Sequence, residues 1–285
     1  MPFRSPRLCI LAVTLATNSV LAAAQTAAPP STQGKAPPTA DSLAAITARG
    51  RLLWQYDFVA ASASDSVMAH RPADGVIGGY VARQRGDRWD VMFGKPSASG
   101  DTFYVAYEVR QHDEDPLAFD VKVLAPARPD TGYPARAMRA ITLASRDFGP
   151  QQRQFNPAVL ERPDGSGFWV YLTPAQQRAG VFPLGGDVRY LISPDGKTIK
   201  AKRALHNSIL ETAPSAAALG DKMVYGTHTA VLDDIVEDTD VFYVLLREPH
   251  VPEFVITDAF VYNIATNGAI RVVGRRSDVL GGRKP

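Results

Sequence analysis

The chain has 285 residues, 31 basic against 29 acidic side chains and a single cysteine, Cys9. So near-balanced a charge excludes whole-molecule attraction to nucleic acid or to an anionic membrane, and one thiol excludes an intrachain disulfide and a multi-cysteine zinc site. The length is enough for one sizeable core or two modest ones.

The chain begins as a secretory signal peptide begins. Arg4 and Arg7 precede the apolar run LCILAVTL, which continues through ATNSVL to Ala22, Ala23 and Ala24. A basic start, a short apolar centre and a small-residue end define such a leader. We assign residues 1–24 to it, with cleavage near Ala24–Gln25. Thr14, Thr17, Asn18 and Ser19 interrupt the run, which falls short of the about 20 apolar residues of a membrane span. Removing Arg4 and Arg7 leaves 29 basic and 29 acidic side chains. Cys9 leaves with the same segment, so the mature chain has no thiol for a disulfide, a zinc ligand or a nucleophile. A large exported domain without disulfides suits a bacterial periplasmic or secreted protein, with no stable membrane insertion after cleavage.

Residues 25–40, QTAAPPSTQGKAPPTA, contain four prolines and no large apolar residue, and read as a linker. Residues 41–274 read as a single globular domain with a possible sub-division near residue 150. Residues 275–285, with Arg275, Arg276, Arg283 and Lys284 against Asp278, read as a basic flexible tail.

Within the domain, Asp41 suits an N-cap for SLAAITAR and Gly50 its stop. A second helix follows, with Leu52, Leu53, Tyr56, Val59, Ala60, Ala63 and Val67 at helical spacing, ending before Arg71–Pro72. GGYVARQ, DRWDVMFG and DTFYVAYEVRQ form a β-meander with one wet face, and FDVKVLA is a possible fourth strand. Pro134 to Phe148 returns to helical spacing and stops at Gly149–Pro150. NPAVLERPDGSGFWVYLT and DVRYLISPDGKTIKAKR read as hairpins across Pro-Asp-Gly turns. KMVYGTHTAV, DVFYVLLRE, EFVITDAFVYNI and AIRVVG read as further strands, with DVFYVLLRE central in its sheet because both its faces are apolar. Helices first, then a meander, a helix and more antiparallel strands make an α+β fold with a mainly antiparallel sheet. There is no fixed repeat, phosphate loop or G-x-S-x-G elbow.

Few residues point to chemistry. Arg85–Gly86–Asp87 is explained by hairpin turn chemistry, and PDGSG and PDGKT lack the spaced oxygens of a calcium loop. His112–Asp113–Glu114–Asp115 sets an imidazole beside three acids, but neighbours on an extended chain alternate in direction. The acids Asp233, Asp234, Glu237, Asp238 and Asp240 read as a solvated connection into the strand at Val241. The pair that matters is His206, after the strand KTIKAKRAL, and His228, in KMVYGTHTAV. If those strands are neighbours, the imidazoles converge, and an acid such as Asp240 completes two His and one carboxylate, enough for zinc or non-haem iron. Ser208, Thr227 and Thr229 lie near them in sequence as possible nucleophiles. The strand aromatics suit core and cross-strand pairs.

Two readings follow. The first is a non-catalytic exported protein, without a cofactor, that binds a small ligand or an envelope partner protein through a sheet face or edge. The alternative is a metal-dependent hydrolase using His206, His228 and Asp240 around a divalent ion such as zinc. The spatial relation of the two histidines and the acids separates them.

Overall fold

A computed structural model describes residues 35–112, 114–212 and 225–281. The expected leader and most of the expected linker lie outside these residues, as does Asp113. The architecture is α+β, with antiparallel strand pairs predominating.

Helix α1, Ala40–Met68, runs unbroken where two helices were expected. Its N-cap is Thr39, whose side chain accepts from the Ser42 amide, and Asp41 instead places a negative charge in the first turn. Gly50 does not end the helix, because it is a point of contact. A Cβ there would lie 2.5 Å from both the Asp238 carbonyl oxygen and the Val241 Cβ. The glycine lets a second helix cross α1 at close range.

The meander follows as expected. β1 (Gly79–Arg85), β2 (Arg88–Pro96), β3 (Phe103–Gln111) and β4 (Phe119–Asp130) form an antiparallel sheet in chain order. Arg85 pairs with Arg88 across the Gly86–Asp87 turn, so the RGD tripeptide is hairpin geometry. Ala82, Val91, Phe93, Tyr107 and Val109 are buried on one side. Arg83, Asp90, Glu108 and Arg110 lie on the other, themselves partly buried or exposed, beside the buried Val81 and Met92. Helix α2, Tyr133–Phe148, carries Pro134 in its first turn and buries Ala137, Met138, Ile141 and Ala144.

β5 (Phe155–Glu161), β6 (Phe168–Pro174), β8 (Val188–Ile192) and β9 (Ile199–Ala204) make a second antiparallel sheet, ordered β5-β6-β8-β9. The hairpins β5–β6 and β8–β9 turn at the expected Pro-Asp-Gly sites. β7 (Phe182–Gly185) and β10 (Ile209–Thr212), which sequence patterning did not single out, pair with each other in a separate ribbon.

The C-terminal third holds the largest departure. DVFYVLLRE is not a central strand but mostly helix α3, Asp238–Leu246. A short run apolar on all sides fits a buried strand and a buried helix equally well, and here the acids before it settle the choice by capping a helix. β11 (Gly226–Thr229), β12 (Glu253–Ile256), β13 (Phe260–Ile264) and β14 (Ile270–Arg275) form a sheet in chain order. β11 and β12 are parallel, a pairing that needs a crossover, and α3 lies in that connection. A single helical turn, α4 (Arg276–Val279), begins the segment read as a basic tail.

Apolar packing falls into two clusters. The larger joins the C-terminal part of α1, α2 and the first two sheets, and so runs across residue 150. The smaller joins Leu43 and Ile46 of α1 to Val241 and Val244 of α3 and to Val255, Tyr262 and Ile264 of the third sheet. Among the described residues no helix is long and apolar enough to cross a membrane.

Candidate metal centre

The N-terminus of α3 is where the acid-rich segment acquires structure. Glu237 is the N-cap, and its side chain accepts from the amide of Asp240. Asp240 Oδ2 accepts from the Glu237 amide in return, at 2.7 Å. This reciprocal cap satisfies amides that a helix start leaves open, and negative charge there is favoured by the helix dipole. Glu237, Asp238 and Asp240 were expected in solvent, yet they are 4 %, 0 % and 0 % exposed. Each is held by partners from other elements. Asp238 accepts from Arg49 of α1 at 2.8 Å and from the Tyr171 hydroxyl at 2.7 Å, and also pairs with Arg189. Glu237 pairs with Arg203. Burial, together with the charges of Asp238 and Asp240, pushes the Glu237 carboxyl up to about 8 against the pull of Arg203.

With Oδ2 committed to the helix cap, Asp240 Oδ1 faces the two histidines. His206 lies just beyond β9, and His228 is the third residue of β11. Their strands belong to different sheets, so the condition set for the histidines to converge, that the strands be neighbours, is not met. The imidazoles meet nonetheless, with ring centroids 5.9 Å apart and planes at 64°. His206 Nε2 lies 2.9 Å and His228 Nε2 3.0 Å from the same oxygen, Asp240 Oδ1. On the far side of each ring a separate carboxylate takes Nδ1. Asp187 Oδ1 stands 2.8 Å from that atom of His206, and Glu253 Oε1 2.9 Å from that of His228. Glu253 is braced in turn by Arg247, at 2.6 Å. Gly226 makes room for this brace, since a Cβ there would lie 2.0 Å from Glu253 Oε2.

The outer carboxylates decide the tautomer. If each Nδ1 donates its proton outward, each Nε2 presents a lone pair inward, the usual orientation of metal-bound imidazole. One atom marks the centre as incomplete. His228 Nε2 is buried and close to Asp240 but, among the described residues, has no hydrogen-bond partner of proper geometry. The three donor atoms lie within 4.8 Å of one another. Donors at about 2.0–2.1 Å from a tetrahedral ion sit about 3.3 Å apart. The Oδ1–Nε2 spacings of 2.9 and 3.0 Å are within a few tenths of an ångström of that.

The charges point the same way. Asp187, Asp240 and Glu253 against Arg247 leave two negative charges when both imidazoles are neutral. Two protons or one divalent cation would balance them. Without an ion, protons take that role. Burial alone would lower the histidine pKa values, but Asp240 and Asp187 push His206 up to about 11, and Asp240 and Glu253 push His228 up to about 9. Burial would raise the Asp240 carboxyl, but the two imidazolium charges hold it far below the usual carboxylate range.

The other candidates do not assemble. His112 pairs with Asp120 at 2.9 Å, with both side chains substantially exposed. Thr227 and Thr229 are exposed and alternate with buried His228, so they project from the opposite face of β11. Ser208 is exposed as well. Sequence reasoning missed Asp187, Glu253 and Arg247, which orient the histidines, because no spacing relates them to His206 or His228. No family model matches the chain, and comparison with curated proteins and with solved structures returns no match.

Proposed function

We propose that this is an exported, non-catalytic binding protein whose ligand is a divalent cation of the zinc class. The ion is held by Nε2 of His206, Nε2 of His228 and the carboxylate of Asp240. The observation that carries this reading is that two imidazoles, each backed by its own carboxylate, aim Nε2 at one oxygen. Nitrogen-rich, thiol-free donor sets suit zinc and its neighbours better than calcium or magnesium, which take oxygen ligands. Export rests on the leader-like residues 1–24, and the absence of any thiol in the remaining chain accords with it.

Three protein donors leave a fourth position on a tetrahedral ion, which is the ground for the alternative, a metal-dependent hydrolase. Burial favours the non-catalytic reading. The His206, His228 and Asp240 side chains are 8 %, 2 % and 0 % exposed, which leaves little room for a substrate at the ion.

Metal analysis and zinc titration of the purified full chain test the proposal. One ion per chain is expected, with proton release on binding at neutral pH because the ion displaces imidazole protons. His228→Ala is expected to abolish stoichiometric binding. No stoichiometric zinc, or equal binding by His228→Ala, would overturn the reading. Zinc-dependent ester or phosphoester hydrolysis lost in the same variant would favour the hydrolase.

A further inference from the structure

A second feature stands beside the metal centre and shares Asp187 with it, but needs no bound ion. A pocket of about 120 Å³ lies where α1, β7 and α3 come together. Its apolar wall includes Phe182, Leu184 and Phe242, and its polar wall includes Asp57, Asp187 and Thr239. Among the described residues, no lysine, arginine or histidine lines it.

Asp57 is the unusual member. It is a partly buried residue of α1, and among the described residues it has neither an ion pair nor a hydrogen bond. Burial raises its carboxyl above the ordinary aspartate value, with no cation to offset the effect. Every buried acid around the metal centre has partners; this one has a pocket. Thr239, which lines the same pocket, is 2 % exposed and its hydroxyl is buried without a partner among the described residues. An unpaired carboxylate and an unsatisfied hydroxyl in one pocket mark polar capacity that the fold itself leaves unused.

We propose that this pocket binds a small primary ammonium ion with a short hydrocarbon body, its charge on Asp57 and its chain against Phe182, Leu184 and Phe242. A bare metal ion fits less well, because one free carboxylate is far short of the oxygen set such an ion needs. An anion would meet two carboxylates and, among the described residues, no positive side chain. The volume sets the size. A cavity of about 150 Å³ accepts benzene, so this one takes a ligand of about five non-hydrogen atoms. Butylammonium has that size.

The test is a calorimetric titration of the full chain, in excess chelator, with butylammonium, butan-1-ol and butyrate as probes. Saturable binding of butylammonium is expected, with the alcohol and the carboxylate weaker by at least about tenfold, the worth of one charge-assisted hydrogen bond. Asp57→Asn is expected to remove the preference for the ammonium probe while leaving the melting temperature unchanged or higher, since it no longer buries an unpaired charge. Equal binding of the three probes, no saturable binding of butylammonium, or a preference that survives Asp57→Asn would overturn the proposal. The three-probe comparison on the unsubstituted chain decides the matter even if the Asp57 variant does not fold.

Discussion

Two stretches of this chain look alike on paper, and the fold treats them oppositely. At the end of β3, His112 stands beside acids; at the start of α3, acids follow His228. The first stays at the surface, where His112 meets Asp120 with side chains 42 % and 78 % exposed. The second is drawn inside, where His228 meets Asp240 with side chains 2 % and 0 % exposed. Charge and residue type are the same in both. What differs is that Asp240 caps a helix packed between α1 and two sheets, so its charge must be met by groups from several elements. In water an ion pair contributes little, whereas in the interior a charge without partners is costly.

The largest expected effect tests that difference directly. Asp240→Ala removes its half of the reciprocal helix cap and leaves two imidazoles facing Asp187 and Glu253 without their common partner. A destabilisation of about 3–5 kcal/mol is expected, read by urea unfolding, together with loss of zinc binding. A stable variant that still binds zinc would erase the contrast between the two regions.

The pH dependence of the metal-free chain is the next lever. His206 and His228 have folded pKa values raised to about 11 and about 9, above the unfolded value of about 6.5. Their contribution to stability is therefore fully present below pH about 6.5 and is lost as pH rises through about 9 and then about 11. Unfolding free energy measured in chelator should fall over that range. Bound zinc should reduce the fall at its lower end, because the ion replaces the protons. Zinc affinity itself should weaken as pH drops, since protons compete for Nε2.

A smaller effect is expected at the second buried acid of α3. Tyr171→Phe removes the hydroxyl that donates to Asp238 at 2.7 Å. A loss of about 1.5–3 kcal/mol in urea unfolding is expected, because the acceptor is a buried charge. Zinc stoichiometry should stay unchanged, which separates the structural acid Asp238 from the proposed ligand Asp240. The smallest effect belongs to the surface stretch. His112→Ala should change stability by no more than about 0.5 kcal/mol and leave zinc binding alone. A large loss there would show that the two stretches are less different than their burial implies.

Much of the fold could be read from local pattern. The meander, the two Pro-Asp-Gly hairpins and the helix from Pro134 to Phe148 each combine an unambiguous period with turn or capping residues. Gly50 and the segment around Val241 were misread for one shared reason. Gly50 has the look of a stop, and DVFYVLLRE that of a central strand, until each is seen as the other's packing partner. Glu237 and Asp240 form a capping box with the residue types of the usual Ser/Thr/Asp/Asn…Glu/Gln signature reversed, so in a stretch of five acids the pair reads as solvation.

His206, His228 and Asp240 could be named from residue type as a possible donor set. Asp187, Glu253, Arg247 and Asp57 could not, because their importance lies in what they touch or fail to touch. The amino-acid sequence by itself determined the α+β class, the order of most elements, the near-neutral charge and the absence of thiol chemistry beyond Cys9. These follow from composition and from periods of two to four residues. Only the tertiary structure decided which acids are buried, since burial depends on contacts between segments that sequence distance does not relate. His206 and Asp240 are 34 positions apart, yet 2.9 Å separates their facing atoms.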